Sequence, residues 1–141
     1  MYPPELVAPL AKDLTDFGFT GLETAEAVDQ VLSSKTGTTL VVVNSVCGCA
    51  AANARPGAKM AAQSNLRPDN LVTVFAGVDR AAVDRAREFL LPYPPSSPAI
   101  ALFKEGKLVH MLERHHIEGN SADAIAGNLM QAFETHCQKV S

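Results

Sequence analysis

The chain has 141 residues, of which 47% are hydrophobic and 19% charged, and its formal net charge is -3. That length can bury a core without staples, so one domain spanning residues 1–141 is expected. The acidic balance, the scarcity of aromatic residues and the absence of Trp exclude the usual footprints of nucleic-acid binding and of an anionic membrane surface.

The opening segment "MYPPELVAPLAKDL" places acids and prolines where an export signal needs a basic start and an unbroken apolar run. The longest apolar run, residues 40–43, is far too short to span a bilayer. A cytoplasmic protein without membrane partners is therefore expected. In that reducing compartment, paired cysteines serve catalysis, redox sensing or metal binding more often than structure. Leu6, Val7, Leu10, Leu14 and Phe17 fall on one face of a predicted first helix, which Gly18 ends. Pro9 inside that run predicts a late start or a kink. Thr24 is placed to cap a short second helix carrying Val28, Val31 and Leu32.

Residues 38–43, "TTLVVV", are β-branched and continuously apolar, the pattern of a strand buried on both faces. An Ala-rich helix follows from Cys49 to about Gln63, interrupted at Pro56-Gly57. "LVTVFAGV", residues 71–78, reads as a second buried strand, and Asp79 is placed to cap a helix that ends before Pro92. "PAIALF" and "KLVHML" form a hairpin through Lys104-Glu105-Gly106. A last helix starts near Ser121 and buries Ile125, Leu129 and Phe133. The fold class is thus α/β, with a mixed four-stranded sheet flanked by helices and an N-terminal helical extension.

The chemistry-bearing motif is "NSVCGCA". Cys47 and Cys49 sit where a central strand ends and a helix begins, the place where open α/β sheets put their sites. The free N–H groups and dipole of a helix start favour a thiolate. Residues i and i+2 of a helix point about 200° apart. The two sulfurs can therefore meet only if Cys47 lies in the turn outside the helix. Gly48 between them offers backbone freedom for so small a ring. A disulfide closed over one residue is strained and easily reduced, which suits thiol exchange. Two other readings use the same pair: buried core thiols, or a metal-binding Cys-x-Cys module needing further ligands. Cys137 and the histidines lack the compact spacing of a structural zinc site, and no Gly-rich phosphate loop is present.

The segments "GTTLVVVNSVCGCAAANARP", "DNLVTVFAGVDRAA", "PPSSPAIALFKEGKLVHMLERHHIEG" and "AFETHC" together resemble the bacilliredoxin family. The resemblance runs from about residue 5 to Cys137. It implies a thioredoxin-like fold and cytosolic thiol–disulfide exchange that removes bacillithiol from S-thiolated proteins. By that resemblance Cys47 attacks and Cys49 resolves. Pro98, after Ser97, would be a cis-proline beside the cysteines that shapes a client groove with Gly48. Bacillithiol would be a co-substrate, a flavin disulfide reductase could recycle the site, and no metal or other cofactor is implied. Disulfide isomerase activity is the alternative within the same chemistry. Among accessory residues, Arg55 could meet an anionic client but more simply belongs to a solvated helix face, as does Asn53. A histidine of the Arg114-His115-His116 run could tune the thiolate, and Cys137 continues the buried stripe of the last helix.

Overall fold

Strand β2, Thr38–Asn44, is buried along its whole length, as its unbroken apolar run predicts. The computed structural model describes residues 2–137 and centres on this strand. Its two neighbours run opposite ways: β3 (Asn70–Phe75) pairs parallel to it and β4 (Ala99–Lys104) antiparallel. A two-residue strand β1, Thr20–Gly21, adds to the outer edge of β3, and β5 (Lys107–Leu112) adds to β4. The order is β1-β3-β2-β4-β5, so the sheet has five strands where four were expected. The extra strand has no sequence pattern, because two residues are too few to show a period.

Side chains alternate across the sheet with the strand period of two. Leu40 and Val42 of β2 join Ile100 and Leu102 in one core, with helices α1 (Pro4–Thr15), α3 (Arg55–Ala62) and α6 (Ala122–His136) above it. Val41 and Val43 join Val72, Val74, Ala101 and Phe103 in the other, under α2 (Ala25–Leu32) and α4 (Arg80–Phe89). Thr24 and Ser121 cap α2 and α6 through their hydroxyls, accepting from the N–H of Ala27 and Ala124 at 3.1 Å each. Asp79 precedes α4 without a side-chain cap; its carbonyl accepts from Val83 N–H and its own N–H donates to the Phe75 carbonyl.

Three local expectations need correction. Helix α1 starts early, at Pro4, and carries Pro9 within it. Its buried face narrows to Val7 and Leu14, while Leu6 and Phe17 are exposed. The helix after the cysteines is not broken at Pro56. Residues Ala50–Ala54 form a π-helical turn that runs straight into α3. Arg55 N–H bonds to the Ala50 carbonyl five residues back. A proline ring collides with the carbonyl four residues before it, here that of Ala52, and the wider turn gives it room. The hairpin turn is tighter than the three-residue reading: Glu105 (φ 53°) and Gly106 (φ 82°) are both left-handed, the conformation that a two-residue turn matched to strand twist requires.

Candidate active site

The end of β2 builds the site. Asn44, fully buried, closes the strand, and its side chain ties three segments together. Its Oδ1 accepts from the Ser45 N–H and from Arg55 Nη1, both at 2.9 Å, and its Nδ2 donates to the Leu10 carbonyl of α1 at 3.2 Å. Ser45 Oγ then accepts the Cys47 N–H at 3.1 Å. Arg55 is 3% exposed, so it does not belong to a solvated face. It bonds Asn44, the Ser45 carbonyl at 3.2 Å and Asp13 at 3.1 Å, pinning the cysteine turn to α1. Periodicity missed this, because an arginine on an Ala-rich helix reads as surface until its acceptors are known.

Cys47 lies in the turn and Cys49 in the first helical turn, and their sulfurs are 2.6 Å apart. Cys49 packs against the core that includes Ala54, Ile100 and Ile117. Gly48 has an ordinary negative-φ conformation, and a Cβ there would meet nothing within 4 Å. Its backbone freedom is therefore not called on in this state. What it leaves is open space at its own Cβ position, between the two cysteines in the chain.

The surroundings make the thiols unequal acids. Cys47 is pulled below the ordinary thiol range by the side-chain and backbone hydrogen bonds of Cys49, with further help from the Arg114 guanidinium. Cys49 is pushed up, by burial first, then by its hydrogen bond to Cys47 and by the Cys47 charge. The two shifts favour Cys47 as the member that ionises, with the Cys49 thiol placed to donate to it. Arg114 Nη2 points at Cys47 Sγ from 3.3 Å. The same guanidinium gives Nη1 to the Ser97 carbonyl at 3.3 Å and Nε to Glu118.

Ser97–Pro98 is a cis bond, and Val43 of β2 pairs with Ala99, so Pro98 lies across from the end of β2 where the cysteine turn begins. A second cis bond, Leu91–Pro92, lies before the same loop. Arg114 opens a one-turn helix, α5 (Arg114–Ile117), that Asn53 of the π turn holds by donating to the Ile117 carbonyl at 3.3 Å. The reader of the thiolate in the 114–116 run is thus Arg114. His115 is exposed, meets the His116 ring at a tilt of 49° with centroids 4.0 Å apart, and faces Glu113. Cys137 is half-buried at the far end of the sheet, where burial raises its thiol and Thr38, Asp69 and Lys104 surround it. Thr38 and Asn44 bound β2, so about 20 Å separates Cys137 from the pair at a rise of ~3.3 Å per residue. Among the described residues, the one cluster of three metal-ligating groups is Glu113, His115 and His116, and it contains neither Cys47 nor Cys49.

A partly exposed cysteine pair at a strand–helix junction, its outer member the stronger acid, beside the Ser97–Pro98 loop, defines a thiol–disulfide oxidoreductase. Comparisons with known proteins agree. A family model described as disulphide isomerase matches residues 2–137. A bacilliredoxin from Cytophaga hutchinsonii is 57% identical over 134 residues, covering 95% of this chain and 98% of that protein. One from Halalkalibacterium halodurans is 48% identical over 137 residues, covering 97% and 95%. The chain belongs to the bacilliredoxin family. Among solved structures it is similar to the thioredoxin of Malassezia sympodialis (TM-score 0.57, 15% identity, 84% of this chain and 90% of that one). Mitochondrial thioredoxin 3 of Saccharomyces cerevisiae is a further match (TM-score 0.56, 14% identity, 87% and 98%). The fold is thioredoxin-like.

Proposed function

We propose that this protein removes bacillithiol from S-thiolated protein cysteines in the cytosol. The inequality of the two thiols carries the reading. Cys47, partly exposed and the more acidic of the two thiols, attacks as thiolate the sulfur of the small thiol in the client's mixed disulfide. The client–sulfur bond breaks, the client leaves as a thiolate, and Cys47 now holds the small thiol. Cys49 then loses its proton and attacks Cys47 Sγ, releasing the small thiolate and leaving the Cys47–Cys49 disulfide. Two electrons from a recycling partner, a flavin disulfide reductase or free small thiols, restore the pair. In this reading Ser97, Pro98 and Gly48 receive the client backbone, supported by the Arg114 bridge from the Ser97 carbonyl to Cys47 Sγ. No step calls on a metal ion or other cofactor.

The description of the matching family model, disulphide isomerase, favours a second reading in which the same thiolate attacks protein–protein disulfides. Intact-mass spectrometry after mixing with an S-bacillithiolated client separates the two. Cys49→Ser should release the client and accumulate one small-thiol adduct on Cys47, and Cys47→Ser should do neither. Adduct on Cys49, or scrambled ribonuclease regained faster than the client is released, would remove the de-thiolation reading.

A further inference from the structure

The guanidinium of Arg114 has more donors than its present partners use. Of its five N–H bonds, Nε serves Glu118, one hydrogen of Nη1 serves the Ser97 carbonyl and one of Nη2 serves Cys47 Sγ. The remaining hydrogen on each terminal nitrogen has no acceptor among the described residues. Arg114 and Glu118 are each about half exposed, at 48% and 51%, so the group is open to an incoming ion. The open space at Gly48 lies on the neighbouring residue of the reactive turn.

Charge changes hands here during the reaction. Before attack, Arg114 faces a sulfur anion. Once Cys47 has formed a disulfide with a small thiol, that sulfur is neutral and the cation has lost one of its two anionic partners. A carboxylate carried by the small thiol would then arrive at a guanidinium whose geometry matches it in a two-pronged fashion. Glu118 is the built-in competitor. It occupies the Nε edge and lies close enough to the pair to raise Cys49.

We propose that Arg114 is the specificity residue for the small thiol: it holds the Cys47 thiolate before attack and a carboxylate of the attached small thiol after it. The site thereby selects anionic, carboxylate-bearing small thiols over neutral or cationic ones, and Glu118 sets how strong that selection is. The inference rests on the reading of the centre as one that accepts a small thiol on Cys47. In each exchange the Cys47 thiolate forms one S–S bond, the probe's S–S bond breaks, and half of the probe leaves as thiolate.

The test uses the full chain carrying Cys49→Ser, so that the reaction stops at the adduct. Three symmetric disulfides of similar size serve as probes: dithiodiacetate, bis(2-hydroxyethyl) disulfide and cystamine. Each adduct rate is divided by that of an unstructured cysteine peptide with the same probe, which cancels intrinsic reactivity. Ratios are then taken between probes within one variant, which cancels changes in the thiolate fraction. The carboxylate probe should outrun the neutral one by about fivefold, a factor that one exposed ion pair supports, and the cationic probe by more. Arg114→Gln should bring the ratios to near one, Arg114→Lys should keep part of the preference, and Glu118→Gln should increase it. Adducts that form with all three probes at equal normalised rates, or a preference that Arg114→Gln leaves intact, overturn the proposal alone. If Cys47 forms no adduct with any probe, the small-thiol reading fails and takes this inference with it.

Discussion

Cys47 and Cys49 are the same amino acid two positions apart, and their chemistry differs because the chain turns between them. Cys47 N–H is spent on Ser45 Oγ, its sulfur collects the donors of Cys49, and Arg114 adds a positive charge from the far side. Cys49, inside the helix and against the core, pays desolvation and sits next to an anion. For an acid that ionises to a negative form, stabilising the anion lowers the pKa, so the reactive fraction of Cys47 appears at lower pH than for a free thiol. The rate of alkylation of Cys47 in the Cys49→Ala variant, followed against pH, measures the part of this that Arg114 supplies. The added change Arg114→Gln should move that midpoint upward, toward the ~8.5 of an unperturbed thiol. A midpoint that stays in place would mean that the guanidinium does not feel the thiolate.

At the scale of elements, the helix that carries the cysteines is held at its start by buried polar contacts. Arg55 bridges α1, the end of β2 and α3 through Asp13, Asn44 and the Ser45 carbonyl. Burial would raise the Asp13 carboxyl, but the Lys59 and Arg55 charges outweigh it and hold it below the usual range. A lowered folded-state pKa means stability that is present above the unfolded value and lost as pH falls through the folded one. With an unfolded Asp near 3.9, the loss belongs below about pH 4. Asp13 is itself partly exposed, so solvent screens this pair and its share is modest. Replacing Arg55 is the sharper test. Arg55→Met keeps most of the volume but leaves Asn44 Oδ1 and the Ser45 carbonyl short of a donor in the interior. Urea unfolding should show a loss of about 2–3 kcal/mol, together with slower Cys47 alkylation as the turn loosens. A variant as stable as the parent would assign Arg55 to function alone.

Across the whole molecule, α3 and α6 pack on the same sheet face, and Gly57 lets them approach. A Cβ at Gly57 would lie 2.7 Å from Ile125 Cγ2 and 3.1 Å from the Ala122 carbonyl oxygen. Helix propensity alone favours Ala there by about 1 kcal/mol. Overpacking a rigid contact costs about 1–3 kcal/mol, and the backbone carbonyl cannot rotate away as a side chain would. Gly57→Ala should therefore lower thermal stability despite its better propensity. Because α3 continues the π turn from Cys49, the same variant should also slow exchange at Cys47. An unchanged or higher melting temperature, read by circular dichroism, would show that α6 yields easily.

Local patterns in the chain were enough to determine the β-branched central strand, the capping residues Thr24 and Ser121, the stripe Ile125-Leu129-Phe133 and the need for Cys47 to stand outside the helix. Each depends on a period, a cap or a ring size, and such quantities are set within a few residues. Nearly full-length similarity in those same segments was also readable as membership of a family. Tertiary structure decided the rest. Arg114 meets Cys47 across 67 positions, Arg55 turns inward because Asn44 and Asp13 await it, and the two-residue strand β1 exists only because β3 offers it an edge. A charged side chain has no period that tells surface from interior. Its role is set by which distant acceptors the fold brings within about 3 Å, and no spacing along the chain encodes that distance.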